Sequence, residues 1–553
     1  MSAQLRRSTA FAAIILSASL VAACGSGEGP ASRAAVEIGG ESGTELAERQ
    51  VLRRGNGAEP QSLDPHKSEG VPESNLQRDL YEGLVSSGPG GEVMPGVAES
   101  WEISEDGTVY TFQLRDNARW SNGDPVTAED FEYSLRRSVD PATLSNYGIM
   151  LRPILNAAEV IAGELPPEEL GVRAVDSRTL EITLGNYTPY FLGVLSHSAA
   201  FPVHRPTVET YGDRWARPGR LVSNGAFQLQ DWVVQSHIQL VRNPYYWDTD
   251  NVRLEEVWYY PIENQSTELQ RYRANELDMT SDLPYRQLRW IRENLADELV
   301  ISDYLGVYYY GLNVTREPFR NNRALRQALN LAINRERLTS QVTGAGEVPA
   351  YGYVPAVAGG YVQQTPEWAA WTQAEREAEA RRLFEEAGYT VDQPLRLQIL
   401  YNTHENHRTI AVAISSMWNE VLGIQTELVN EEWKVYLETR RSKQTTQVFR
   451  AGWIGDYNDA FTFAELMHSA SAMNDSGWDH PPYDELLARA AAERDPGRRV
   501  EYLQAAEREL LQEVPLIPIY FYVTKRVVKP WVGGYQPHIQ DYIYSRDLYI
   551  LKH

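Results

Sequence analysis

The chain has one cysteine, Cys24, and it stands where a thiol has a defined chemistry. Arg6 and Arg7 precede an apolar run that ends in Val21-Ala22-Ala23-Cys24. A charged start, an apolar middle and small residues at the cut site make an export signal over residues 1–24. A cysteine directly after the small residues is the pattern that receives lipid on sulfur and becomes the mature N-terminus. The run is too short to cross a hydrocarbon core of ~30 Å, and polar Gly/Ser/Glu sequence follows at once. Everything after Cys24 is therefore expected outside the cytoplasm, tied to a membrane by lipid.

Other reactive constellations are weak. His404-Glu405-Asn406-His407 holds two histidines three apart, whereas H-E-x-x-H needs them four apart on one helix face. No G-x-x-x-x-G-K-[ST] loop and no G-x-S-x-G elbow occurs. Acidic residues are too common for a catalytic carboxylate pair to be picked out by spacing. The expectation is a chain that is not an enzyme and uses no cofactor or metal.

The 553 residues suffice for several domains. The net charge is −23, although the leader contributes two arginines and no acids. Such a surface argues against nucleic acid, whose phosphates require cationic patches. The 14 Trp and 32 Tyr suit binding clefts, since each ring pairs an apolar face with a polar tip. Residues 25–50 are small, polar and glycine-rich, and read as a flexible tether.

From Val51 onward strands and helices interleave, which places the chain in the mixed α/β class. Residues 109–115 alternate, with Tyr110, Phe112 and Leu114 on one face, and Leu180, Ile182 and Leu184 repeat the pattern. Thr372 with Glu375 forms a capping box for a helix running to Ala387-Gly388. Thr127 with Asp130 is a variant of the same box, and Asp495-Pro496 reads as N-cap plus first helical residue.

Longer stretches carry a family likeness. They are Ser62-Leu63-Asp64-Pro65-His66-Lys67 with Glu69-Gly70-Val71-Pro72-Glu73-Ser74-Asn75, Pro95-Gly96-Val97-Ala98-Glu99-Ser100-Trp101, and Trp120-Ser121-Asn122-Gly123-Asp124-Pro125-Val126-Thr127. Later come Ala350-Tyr351-Gly352-Tyr353, Ala451-Gly452-Trp453 with Asp456-Tyr457-Asn458, and Lys529-Pro530-Trp531-Val532-Gly533-Gly534-Tyr535. From about Val51 to His553 the chain resembles the solute-binding proteins of bacterial peptide ABC transporters (extracellular solute-binding family 5), and among them the oligopeptide-binding members. The resemblance implies a two-lobed, periplasmic-binding-protein-like fold with hinge-crossing segments and an extra third domain. By order along the chain, residues 51–82, 208–307 and 524–553 would form lobe I, 83–207 the extra domain and 308–523 lobe II. Ligand would be trapped between the lobes by hinge closure.

A binder of many peptides must grip what all peptides share: an α-ammonium, a repeating amide backbone and a terminal carboxylate. The resemblance places Asp456 at the ammonium. It places Glu69, Gly70 and Val71, with Gly452 and Trp453, along a backbone added as a strand. Arg450, Arg440 and His407 would meet the carboxylate of ligands of different length, arginine through its planar fork. Trp433, Trp453, Tyr147, Tyr308, Tyr310 and Tyr522 would wall the cleft. A Tyr308-Tyr309-Tyr310 strand must put alternate rings on opposite faces, so at least one of the three belongs to the core.

Three departures from relatives stand out. A glutamate after the tyrosine run is Gly311 here, a lysine before the Ala350-Tyr351 segment is Thr343, and two positions that can carry a disulfide are Gly306 and Ile454. The resulting expectation is a monomeric, lipid-anchored receptor that passes short peptides to a membrane permease of an ABC transporter. Murein peptides, oligosaccharides, metal or haem chelates, or a chemosensory role on the same fold are the alternatives, with a secreted hydrolase as the rival from another class.

Overall fold

The computed structural model describes residues 44–390, 394–444 and 446–553. Cys24, the leader and residues 25–43 lie outside the described residues. Residues 45–50 are not a tether. Ala47 N–H donates to the Ile550 carbonyl at 2.8 Å, Lys552 N–H to the Glu45 carbonyl at 2.9 Å, and Gln50 is buried with its amide on Ile550.

Local sequence signals translate directly into elements. Val109–Leu114 is a strand that buries Tyr110, Phe112 and Leu114, and Thr179–Thr183 pairs with it antiparallel, burying Leu180 and Ile182. With Ala98–Ile103 and Val172–Asp176 they form a four-stranded antiparallel sheet. The Thr127/Asp130 box opens the Ala128–Val139 helix, which lays Phe131 and Leu135 on this sheet. Thr372/Glu375 opens Gln373–Glu386, and Asp495 caps Pro496–Glu513.

A second sheet orders Val51–Gly55, Glu256–Tyr260, His237–Arg242 and Phe227–Val233, its first pair parallel. Leu52, Phe227, Ile238, Leu240 and Val257 pack there with Trp215, Leu548 and Ile550. Widely separated stretches of chain thus share one core. The third sheet has six strands, in the order Val348–Pro349, Leu516–Val527, Leu299–Leu312, Val448–Ile454, Arg396–Asn402 and Gln425–Glu431. Tyr308, Tyr310, Ile399, Ile517 and Ile519 bury one of its faces under helices that supply Phe384, Ile410 and Trp418.

Two long strands tie the cores together. Leu299–Leu312 and Leu516–Val527 run antiparallel, and Val300 joins the core of the second sheet while Tyr308 joins that of the third. Their register breaks twice: between Asp303↔Val523 and Val307↔Phe521, where Tyr304, Leu305 and Gly306 oppose Tyr522 alone, and again between Tyr308↔Tyr520 and Tyr309↔Pro518. A bulge of this kind bends and twists a strand locally.

The antiparallel sheet is also clasped from the other side. Tyr190 stacks on Tyr457 at 4.9 Å and on Phe461 at 5.0 Å. The Arg499 guanidinium sits 5.0 Å from the Tyr190 ring and forks onto Asp459 at 2.8 and 2.9 Å.

Candidate functional site

A cavity of about 350 Å³ lies among these units. Its wall includes Glu69, Gly70, Val71, Tyr147, His407, Trp433, Arg440, Arg450, Gly452, Trp453, Asp456 and Tyr522. Tyr308 and Tyr310 are not in the wall, which corrects the expectation for both. Tyr308 is buried against Tyr520 at 4.7 Å, and Tyr310 is buried edge-on to Trp418. Tyr309, between them, faces the cavity instead.

The Val448–Ile454 strand organises the site. On one side it pairs antiparallel with Leu299–Leu312 from Val448 to Ile454. On the other, Arg396–Asn402 pairs only with Val448 and Phe449. Beyond Phe449 this second edge has no strand beside it among the described residues, and Gly452, Trp453 and Ile454 line the cavity there. Unpaired backbone on a strand edge is a template for another extended chain. Gly452 has a further reason to lack a side chain: a Cβ would collide with the Tyr522 hydroxyl.

Asp456 follows the strand and is buried, yet no cation of the described residues neutralises it. Its nearest charged-type partner is His197, whose Nε2 lies 3.4 Å from Oδ1. Burial, helped by Arg78, drives the His197 pKa down to about 3, so the ring is neutral. His197 Nδ1 accepts the Ala199 N–H at 3.2 Å, which assigns the proton to Nε2, facing the carboxylate. Thr462 adds one weak bond to Oδ2 at 3.4 Å. Burial and the nearby Glu465 push the Asp456 pKa well above the carboxylate range, with Thr462 opposing. A carboxyl in this state is stabilised when a cation arrives.

Arg450 is the counterpart on the strand. Its Nη2 donates to the Tyr522 hydroxyl at 2.7 Å, its Nη1 reaches Asn402 at 3.4 Å, and the guanidinium lies 4.9 Å from the Tyr308 ring. No carboxylate of the described residues lies within ion-pair distance of it, and its Nε has no hydrogen-bond partner among them. The other two expected cations differ. Arg440 Nε is 2.5 Å from Asp475 Oδ2. His407 is buried, and burial with the adjacent Arg450 and His404 holds its pKa well below the usual value. It offers a neutral ring, not a charge. His404 stacks on it at 4.2 Å and is also neutral, with a pKa lowered to about 4 by burial.

Segments far apart in sequence meet across the cavity. Arg441 bonds Glu69, and the Gly70 backbone, at φ 107°, lies so close to Trp433 that a Cβ would sit 3.0 Å from its ring. Glycine is required there both by the left-handed backbone and by this contact.

Sequence reading missed His197, Tyr304, Lys525 and Tyr542, which also line the cavity. Lys525 bridges Asp282 at 3.2 Å and Glu347 at 3.5 Å. A signal existed for it, since Lys525 and Arg526 are two charges at the end of a largely buried strand that begins Leu-Ile-Pro-Ile-Tyr-Phe-Tyr-Val. The departures from relatives have local explanations. Gly306 and Ile454 are register partners, and Ile454 occupies the space a Gly306 side chain would need. Gly311 is covered by the Phe449 ring, and Thr343 donates to Glu347 at 2.8 Å.

The profile of "Bacterial extracellular solute-binding proteins, family 5 Middle" matches residues 92–475. The chain belongs to this family. The periplasmic oligopeptide-binding protein OppA of Escherichia coli is 44% identical over 515 residues, covering 92% of this chain and 94% of its own. The structure of the E. coli murein tripeptide-binding protein MppA, 41% identical, superposes with a TM-score of 0.90 over 92% of this chain and all of that one. An MppA structure in an unliganded open form, also 41% identical and covering 93% and 99%, reaches only 0.66. The family member described here therefore has the two-lobed fold in an arrangement unlike that open form. Its Glu69–Arg441 and Gly70–Trp433 contacts fit a cleft drawn shut.

Proposed function

We propose that this protein is an extracytoplasmic receptor, held to a membrane by lipid on Cys24, that captures short peptides and delivers them to the membrane permease of an ABC transporter. The carrying observation is the unpaired strand edge at Gly452–Trp453–Ile454, placed between the unneutralised carboxylate of Asp456 and the unpaired guanidinium of Arg450. An extended zwitterion supplies what each part lacks: amides for the edge, an ammonium for Asp456, a carboxylate for Arg450. The relatives' names, oligopeptide-binding and murein tripeptide-binding, support the same ligand class. No helix of the described residues is long and apolar enough to cross a membrane, so the lipid would be the attachment.

Within this reading residues 51–82, 208–307 and 524–553 form lobe I, 83–207 its extra domain and 308–523 lobe II. The Tyr304–Leu305–Gly306 bulge in the paired long strands is then the hinge. The protein works as a monomer, since both ends of the ligand are held within one chain.

Calorimetry with free and N-acetylated forms of one peptide tests the proposal. Acetylation removes the cation that Asp456 needs and is expected to weaken binding at least about a hundredfold, on the ~3–5 kcal/mol cost of leaving one partner of a buried pair alone. Equal affinity for both forms would sink it. The same cell yields a protonic signature. Asp456 has a raised pKa without a cation beside it, and an ammonium favours its ionised form. Binding therefore releases protons wherever the free protein still holds this carboxyl protonated, and affinity rises with pH until the carboxyl is fully ionised in the free protein. The measured enthalpy should depend on the buffer's ionisation heat for the free peptide. A buffer-independent enthalpy would contradict this.

A further inference from the structure

We propose that Arg54 and Arg78 form an anion subsite beside the ammonium end of the cavity, which takes the carboxylate of an acidic side chain on one of the guest's first two residues. This rests on the peptide-binding reading above.

Stretches far apart in sequence build the subsite. Arg54 lies on the Val51–Gly55 strand, Arg78 on the Val71–Leu80 helix and Arg526 on the Leu516–Val527 strand. All three line the cavity, and Arg54 is 3% and Arg78 7% exposed. Arg526 is paired with Asp541. Arg54 and Arg78 have no carboxylate of the described residues within ion-pair distance. Arg54 Nε and Nη1, and Arg78 Nε, also lack hydrogen-bond partners among those residues. The chain carries 75 acids against 52 Lys and Arg, so carboxylates are not scarce. A buried guanidinium is costly until a counter-charge meets it.

The acids nearby are engaged with other groups. Asp79 accepts from the Tyr259 hydroxyl at 2.7 Å and from the Ser545 N–H at 2.9 Å, and burial raises its pKa against those bonds and Arg54. Asp282 faces Lys525 at 3.2 Å. The bonds that Arg78 does make go to neutral acceptors, from Nη2 to Asn75 Oδ1 at 3.0 Å and from Nη1 to the Ser74 hydroxyl. The Arg54 guanidinium lies 5.0 Å from the Tyr259 ring, whose hydroxyl is 3.2 Å from the Asn75 carbonyl. The two unpaired arginines therefore flank Asn75, which itself lines the cavity. A planar fork of this kind suits a carboxylate.

Contacts fix where this subsite stands along the guest. The Arg78 guanidinium lies 4.1 Å from the centre of the Tyr542 ring, and the Tyr542 hydroxyl donates to the Asp456 carbonyl at 3.4 Å. Gln540 Nε2 donates to the same hydroxyl at 3.1 Å and to the Gly455 carbonyl at 2.9 Å. One tyrosine thus separates Arg78 from the residue that meets the amine. An extended guest moves away from that point by ~3.3 Å per residue. The terminal carboxylate of a tetrapeptide is carried past it, so the acid that arrives there is a side chain near the amine.

The test is calorimetry of the full chain with tetra-alanine bearing Asp or Asn at each position in turn. At position one or two the aspartyl form is expected to bind at least about tenfold more tightly than the asparaginyl form, the scale of one charge-assisted contact. At the last two positions the pair should agree within about threefold. Arg54→Met and Arg78→Met should each bring the preferred ratio to within about threefold of one. The ratio is taken within each variant, so a general loss of affinity does not imitate the effect. Arg54→Lys and Arg78→Lys keep the charge without the fork and should retain only part of the preference, which also serves where a methionine variant fails to fold. A ratio near one at every position overturns the proposal, as does a preference that survives both methionine variants, the mark of the general field only. Sodium acetate separates the two sources of a carboxylate. It should compete with the preferred aspartyl peptide and not with its asparaginyl partner. If acetate binds the peptide-free protein through Arg78 while the aspartyl ratio stays near one, the subsite holds a free anion and the side-chain assignment fails. If the asparaginyl peptides bind and depend on their amine while no ratio departs from one, only this inference fails. If N-acetylation also leaves affinity unchanged, the peptide reading itself fails.

Discussion

Replacing Asp456 by asparagine is expected to weaken peptide binding by about 10²-fold to about 4 × 10³-fold while leaving the fold intact. The magnitude follows from the ~3–5 kcal/mol cost of leaving one charge of a buried pair without its partner, at about 1.4 kcal/mol per decade. Folding should be spared because no protein cation of the described residues depends on this carboxylate. His197 is neutral and its Nε2 can meet an amide oxygen as well as a carboxylate oxygen. Losing a buried carboxyl whose pKa is raised even removes a source of pH-dependent instability. A raised acid contributes its unfavourable ionisation above the unfolded-state pKa, so the ligand-free wild type loses stability as pH climbs from about 4 toward the folded value. The decisive measurement is a cycle of wild type and Asp456→Asn against free and N-acetylated peptide. The two losses should not add, because both delete the same ion pair. Full additivity would mean that the ammonium is held elsewhere.

Arg450→Met is the second large effect, expected at about 2–4 kcal/mol, the range for truncating one partner of a desolvated charge pair. Methionine keeps much of the stem's volume and removes the fork. The variant leaves no acid stranded, since none of the described residues is paired with Arg450. Peptides ending in a carboxamide should bind the wild type as poorly as ordinary peptides bind the variant. Arg450→Lys should recover only part of the loss, because an ammonium lacks the planar two-point geometry. If the carboxamide binds the wild type at full strength, Arg450 does not read the C-terminus.

Much of the scaffold was legible because its signals are local. Thr127 with Asp130, Thr372 with Glu375, and Asp495 before Pro496 each act over three or four residues, and the helices start where they stand. Alternation at Tyr110, Phe112 and Leu114 likewise needs no partner to be read. The tyrosine run shows where this ends. Alternation guarantees that Tyr308 and Tyr310 share a face, but not which face. That parity is set by the register with Val448–Ile454, downstream of a bulge that no local pattern announces. The charge states of the site were hidden for a similar reason. Arg440 is silenced by Asp475, 35 positions on, and His407 by burial beside Arg450. Residue types named the candidates; tertiary packing decided which of them carry charge.

The Tyr190 clasp has a consequence for tolerance. Its stacking on Tyr457 and Phe461, with Arg499 at the rim, involves none of the residues that wall the cavity. Whatever stabilisation it lends to the shut form is the same for every guest. A uniform bonus of that kind raises all affinities together and leaves their ranking to the pocket, so a receptor can be indifferent to side-chain identity without being weak.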